Sequence, residues 1–192
     1  NEVIRLNGIY QRMLDNSKVE LLHGHGKFID HHTIQVGDRT VTADKILIAV
    51  GGVPVRPNIP GIEHALVSDD VFNLQAQPKR MVILGAGYIG CEFACIMNGL
   101  GTKVTQVIRP DLILRSFDND LRSAVQDGMI HHGVEIINNT EDVSIAKTDT
   151  GVAVTVNSKD GKSVILADVV SLAALGRKPN TANLGLENVD VK

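Results

Sequence analysis

Tryptophan is absent from this sequence, and aromatic residues make up only 3% of it. Val, Ile, Leu, Ala and Gly therefore carry the apolar load, which suits helices packed on a sheet. Two cysteines, Cys91 and Cys95, are too few for a disulfide framework, and their spacing is not that of a Cys-x-x-Cys redox pair. Both are expected as small buried side chains between a helix and a sheet. No apolar run approaches the roughly 20 residues of a membrane-spanning helix. Neither sign of charge dominates, and a net charge of −3 leaves no basic field for nucleic acid or an anionic membrane. The seven histidines have no cysteine or carboxylate at zinc spacing, so no metal site is expected. Gly-x-Ser-x-Gly is missing, and no Ser-His-Asp constellation is readable. No signal peptide opens the chain, so a cytoplasmic location is expected. The first residue is Asn1 rather than Met, and the opening residues read as the middle of something. The expectation is a piece of a longer protein.

What is present centres on Met81-Val82-Ile83-Leu84-Gly85-Ala86-Gly87-Tyr88-Ile89-Gly90-Cys91-Glu92. An apolar run ends in Gly-x-Gly-x-x-Gly and passes directly into a helical pattern. The flanks fit a strand, a tight turn and a helix start, the geometry of a dinucleotide site. Gly85 permits the sharp turn, Gly87 the approach of a pyrophosphate, and Gly90 close packing of helix on strand. The phosphates would sit at the helix N-terminus, where unbonded amides and the dipole favour negative charge. A purely structural glycine turn is the alternative.

A length of 192 residues allows one large domain or two small ones. Apolar residues at helical spacing predict an amphipathic helix over 2–15. Short strands are expected at 19–22, 27–29, 33–36 and 40–42, and a strand buried on both faces at 45–50. Pro54, Pro57 and Pro60 mark a linker over 53–61, where a domain crossing is placed. Ser68-Asp69-Asp70 is expected to cap a short helix through Leu74. Strand 80–84, a helix from 88 to about 100 and strand 103–108 form a βαβ unit, with Gly99 and Gly101 marking the turn. Asp118 is the expected cap of a helix that Gly133 stops, and residues 134–137 form another strand. Alternating valines over 142–167, with turns at Thr150-Gly151 and Asp160-Gly161, predict an antiparallel meander. A last strand is expected at 169–175. The fold class is therefore α/β.

The second strand decides the nucleotide. NAD-binding units carry an acid about 20 residues beyond the glycines to accept from the ribose 2′-hydroxyl. Here the strand runs Val104-Thr105-Gln106-Val107-Ile108-Arg109, and Arg115 follows. Guanidinium forks suit a 2′-phosphate, so NADPH is favoured over NADH. Asp111 lies between the two arginines and is placed to pair with either.

With these residues in view, the chain resembles the flavoprotein disulfide reductases, and within them the branch that reduces glutathione disulfide. Four stretches carry the resemblance: Gly85 through Ala94, Ile108-Arg109 with Leu114-Arg115-Ser116-Phe117-Asp118, Thr42 through Gly52, and Gly176-Arg177-Lys178-Pro179-Asn180-Thr181. Trypanothione, dihydrolipoamide and mercuric reductase types are the alternatives within the family. The resemblance implies a Rossmann-like domain, a parallel sheet with helices plus the meander, preceded by part of an FAD-binding α/β domain. Residues 1–52 would be the C-terminal part of the FAD domain, 53–175 the NADPH domain, and 176–192 the return towards the FAD domain.

The same resemblance implies roles. Tyr88 would gate the flavin and Glu92 would support the nicotinamide end, although alone they read as a packing aromatic and an ordinary helix residue. Gly85, Ala86, Gly87, Tyr88, Ile89, Gly90, Glu92, Arg109, Arg115 and Gly176 would contact NADPH. His25, Gly26, Val50 and Gly51 would lie near FAD, with Val50 where relatives often carry Thr. The intact protein would be a homodimer through a further C-terminal domain. It would pass hydride from NADPH to FAD, and electrons through a redox disulfide to glutathione disulfide. The family's first glycine-rich FAD loop, its Cys-x-x-x-x-Cys and its His-Glu pair are not in these residues. Alone, the chain is expected to bind nucleotide without turnover.

Overall fold

The computed structural model describes residues 2–159, 161–171 and 176–191. The backbone divides into two compact units, Asn1–Gly51 with Pro179–Lys192, and Gly52–Lys178.

The first unit opens with helix α1 (Glu2–Asn16), as its periodicity predicts. No residue of α1 is buried. An antiparallel meander follows, with β1 (Gly26–Asp30), β2 (Thr33–Val36) and β3 (Arg39–Thr42) in that spatial order. Phe28 is its buried anchor. The Phe28 amide donates to the Leu184 carbonyl at 2.7 Å, and Asn188 Nδ2 donates to the Phe28 carbonyl at 2.9 Å. The end of the chain is thus bonded to β1. Two sequence expectations fail in this unit. Residues 19–22 and 45–50 are not strands, and Leu47 is 89% exposed. A strand is defined by its ladder, and no described strand bonds to either segment, so the apolar pattern yields no strand.

The second unit begins with β4 (Gly52–Pro54), which pairs with the short β12 (Arg177–Pro179). The first two residues of the linker expected over 53–61, Val53 and Pro54, thus belong to a strand. Pro54 stands at the end of a two-stranded ribbon, where a missing donor costs little. Helix α2 (Ser68–Val71) is shorter than expected. Its cap comes from within, since the Asp70 carboxylate accepts from the Val67 amide at 2.9 Å.

Next come β5 (Arg80–Leu84), α3 (Tyr88–Gly99), β6 (Lys103–Val107), α4 (Asn119–His131) and β7 (Glu135–Ile137). Asp118 caps α4, its carboxylate accepting from the Asp120 amide at 3.0 Å. The meander is β8 (Thr140–Thr148), β9 (Gly151–Ser158) and β10 (Gly161–Ala167). The chain then returns as β11 (Val169–Ser171). The rest of the expected last strand, 172–175, lies outside the described residues, as does Asp160 of the expected turn.

The parallel sheet has the order β11-β5-β6-β7. Both faces of β5 are covered, which explains its unbroken apolar run. Met81 and Ile83 pack with Phe93, Ala94 and Met97 of α3 and Met129 of α4. Val82 and Leu84 pack on the opposite face with Ile145, Val152, Val154 and Val156 of the meander. Gly61 closes against that meander. Its φ is +81°, and a Cβ there would stand 1.8 Å from the Ile145 carbonyl oxygen. Cys91 is buried on α3 as expected, but Cys95 is exposed. An i+4 step advances about 40° beyond a full turn, off the arc defined by Gly90, Cys91, Ala94 and Met97.

Asp168 joins the start of β5 to the strand returning beside it. Its Oδ2 accepts from the Lys79 and Arg80 amides at 2.7 and 3.0 Å, and Arg80 Nη2 donates to Oδ1 at 3.0 Å. The Arg80 side chain, followed by these amides, holds the carboxyl below its ordinary value of 3.8. A depressed carboxyl pKa contributes stability above the unfolded value and loses it as pH falls through the folded one. Asp168→Ala is expected to cost about 1.5–3 kcal/mol at neutral pH, the range for hydrogen bonds to charged groups. Denaturant unfolding of the two proteins should show that difference narrowing below pH 3.8.

Candidate functional site

The order β11-β5-β6-β7 places the reversal of strand order between β5 and β11. In open α/β sheets a crevice forms beyond the carboxyl ends of the strands at such a point. The glycine turn sits there. Gly85 adopts φ +123°, a conformation that favours glycine. Its amide donates to the Val107 carbonyl at 2.9 Å, fastening the turn to the end of β6. Gly87 is the N-cap of α3 and has no side chain with which to cap it. The first amides of α3 therefore have no capping partner, as an anion site needs. Gly90 is buried, Ala86 and Ile89 are half-buried, and Tyr88 stands out at 57% exposure.

A residue missed at the sequence level supports this turn from below. Gln106 is fully buried, and its Nε2 donates to the Gly85 carbonyl at 2.8 Å. The same nitrogen lies 3.6 Å from Cys91 Sγ. Burial pushes the Cys91 thiol up, with the Gln106 contact acting the other way. The signal available was one amide side chain inside an apolar strand.

Arg109 and Arg115 are exposed on the loop that leaves β6. This loop bonds to the glycine turn, because the Leu114 amide donates to the Ala86 carbonyl at 2.6 Å. Leu114 adopts φ +55°, an uncommon conformation for a branched residue. Neither Arg109 nor Arg115 pairs with a carboxylate among the described residues. Asp111 pairs with neither of them, contrary to expectation. Its Oδ1 accepts from the Leu112 amide at 2.9 Å and lies 4.0 Å from Arg122 Nη2. Beside Arg109, a cleft of about 180 Å³ opens among Leu84, Gly85, Val107, Thr140 and Val143. Thr140 and Val143 come from the meander and carried no sequence signal for this site.

Glu92 lies one turn beyond Tyr88 on α3, a spacing that puts the two side chains on one face. Glu92 and Ile89 line a second cleft of about 270 Å³ with Phe72, Phe93, Ile96 and Arg177. The Phe72 and Phe93 rings lie 5.4 Å apart, tilted at 60°. Gly176 has φ +104°, and its carbonyl accepts from the Val55 amide at 3.0 Å.

In the first unit, His25, Gly26 and Val50 line a cleft of about 320 Å³ with Phe28, Asn180 and Leu184. His25 Nε2 lies 3.0 Å from the Asn183 carbonyl oxygen. Gly51 has φ +65°, and its carbonyl accepts from the Asn180 amide at 2.9 Å. Asn180 and Leu184 arrive from the far end of the chain, so spacing alone did not mark them for this cleft.

The family model described as pyridine nucleotide-disulphide oxidoreductase matches residues 1–192. A glutathione reductase of Nostoc sp. is 46% identical over 190 residues, covering 99% of this chain and 41% of the relative. The chloroplastic/mitochondrial glutathione reductase of Pisum sativum is 40% identical, covering 100% of this chain and 34% of the relative. Among solved structures, the HOCl-induced flavoprotein disulfide reductase RclA from Escherichia coli superposes with a TM-score of 0.86 at 31% identity. That match covers 100% of this chain and 44% of RclA. The chain thus spans 34–41% of the length of these sequence relatives. The match along all 192 residues, with a glycine turn at the expected strand end, places this chain in the pyridine nucleotide-disulphide oxidoreductase family.

Proposed function

We propose that this chain is the nucleotide-binding portion of an NADPH-dependent, FAD-containing disulfide reductase whose intact form reduces glutathione disulfide. The observation that carries the NADPH reading is the bond from the Leu114 amide to the Ala86 carbonyl. It fastens the loop bearing Arg109 and Arg115 to the turn whose amides would hold the pyrophosphate. Glutathione reductases use FAD and NADPH, and the chemistry of the described residues fits both.

For NADPH, the N-terminal amides of α3 take the pyrophosphate, with Gly85, Ala86, Gly87, Ile89 and Gly90 keeping the backbone close to it. Arg109 and Arg115, which pair with no carboxylate among the described residues, present two guanidinium groups to the 2′-phosphate. The cleft beside Arg109 offers apolar walls to the adenosine. Tyr88 and Glu92 stand on one face of α3 towards the nicotinamide end, and Gly176 precedes Arg177, which lines the same cleft as Glu92. Tyr88 is exposed enough to swing aside, while Glu92 holds a carboxylate near that end. For FAD, His25, Gly26, Val50 and Gly51 shape a cleft in the first unit that suits a nucleotide moiety. When bound, FAD supplies the hydride chemistry, and the protein supplies position and electrostatics. A homodimeric intact protein and a cytoplasmic location belong to the same proposal.

Glutathione disulfide is favoured by the 46% identity to a glutathione reductase. The dihydrolipoamide type is opposed by Arg109, which stands where an NAD-specific site needs an acid. Cys91 and Cys95 lie on one helix, one buried and one exposed, and both are free.

Two outcomes are expected. Replacing both Arg109 and Arg115 with Ala should weaken NADPH binding at least about tenfold while NADH changes less than about twofold, the pattern of a lost charge-assisted contact. Titration of each nucleotide by calorimetry reads this, and equal losses would refute the 2′-phosphate role. The pure 192-residue chain, supplied with NADPH and glutathione disulfide, should leave the nicotinamide absorbance unchanged. Sustained NADPH oxidation that depends on glutathione disulfide would show that these residues suffice for turnover.

A further inference from the structure

One arginine outside every motif directs two of its three guanidinium nitrogens to the Arg109–Arg115 loop. Arg122 lies in the first turn of α4, with its side chain only 12% exposed. Its Nε donates to the Ile113 carbonyl at 2.7 Å, and its Nη2 donates to the Leu112 carbonyl at 3.1 Å. Its Nη1 donates to Asn119 Oδ1 at 2.7 Å. All three guanidinium nitrogens are engaged, so this cation is a brace rather than a phosphate ligand. The fork matters, because a lysine ammonium cannot present two rigid donors to successive carbonyls.

One turn further along α4, Gln126 adds a second hold, its Oε1 accepting from the Ile113 amide at 3.2 Å. Ile113 is completely buried. Both polar groups of its peptide backbone are therefore satisfied by α4 side chains. The next residue, Leu114, carries the bond to Ala86 and the positive φ. Arg115 follows immediately. The direction in which Arg115 leaves the backbone is thus set by a segment pinned from α4 on one side and from the glycine turn on the other.

We propose that Arg122, assisted by Gln126, is a positioning residue for nucleotide selectivity. It fixes residues 112–114 so that Arg115 faces the 2′-phosphate, without touching the nucleotide itself. This rests on the 2′-phosphate reading of Arg109 and Arg115. A loop released from the brace retains its charges but samples many directions, so the contact unique to NADPH weakens. The pyrophosphate contacts at α3 are unaffected, so NADH binding stays as it was.

Arg122→Lys keeps the charge and removes the fork. Titrating the full chain with NADPH and with NADH, the variant is expected to weaken NADPH about fivefold to tenfold and NADH less than about twofold. Gln126→Leu removes the second hold and is expected to give the same selective pattern at smaller amplitude. In an Arg115→Ala background, Arg122→Lys should add less than about twofold for NADPH, because the group it positions is gone. A merely structural role would lower the unfolding midpoint and weaken both nucleotides together. Equal weakening, an undiminished Arg122→Lys effect in the Arg115→Ala background, or unchanged NADPH affinity in both folded single variants would each overturn the proposal. If Arg109→Ala with Arg115→Ala leaves the preference for NADPH intact, the 2′-phosphate reading itself fails, which the parent comparison reveals separately.

Discussion

Burial of β5 on both faces is the constraint on which the second unit depends. Four consecutive residues, Met81 to Leu84, are almost fully removed from water. Such a strand needs a helical layer on one side and a second covering layer on the other. Helices α3 and α4 provide the first, and the antiparallel meander β8-β9-β10 provides the second. Once β5 is held centrally, its carboxyl end is a fixed point in space. The chain must turn there to begin α3, and that turn is the glycine-rich one.

The turn is held by its neighbours as much as by its own glycines. Gly85 bonds to Val107, Gln106 supports Gly85 from beneath, and Ala86 accepts from Leu114. Three bonds therefore join the first βα connection to β6 and to the loop beyond it. The helix amides and the two exposed arginines are thereby referenced to the same backbone, which is what the proposed NADPH site requires. The loop needs such fastening, since Leu114 adopts a conformation that a leucine rarely takes unaided.

Much of this was legible residue by residue. The apolar run into Gly85-Ala86-Gly87 marked a strand, a turn and a helix start, and the structure has each where the pattern puts it. Asp118 as a helix cap and the alternating valines of the meander were equally readable, because capping and strand alternation are local physics. The segments at 19–22 and 45–50 misled for the opposite reason. Their apolar content is compatible with a strand, but a strand also needs a bonded neighbour, which no local pattern contains. The pairing of Asp111 was misjudged because it depends on α4, eleven residues along the chain. Cys95 is exposed because the tendency of free cysteine to be buried yields to helical phase, which leaves it off the buried arc of α3.

Family membership, a glycine-rich strand–turn–helix and an arginine pair in place of an acid were determined by the sequence alone, since each rests on residue identity at short spacing. The tertiary structure decided which distant groups serve that turn. Gln106 reaches Gly85, Leu114 reaches Ala86, and Thr140 and Val143 wall the cleft beside Arg109. It also revealed that Arg122 is buried against the loop rather than exposed beside Arg109 and Arg115. These relations come from packing a helix and a meander on opposite faces of one sheet. Packing brings together residues that no periodicity relates, and it alone decides whether an arginine meets a ligand or a backbone carbonyl.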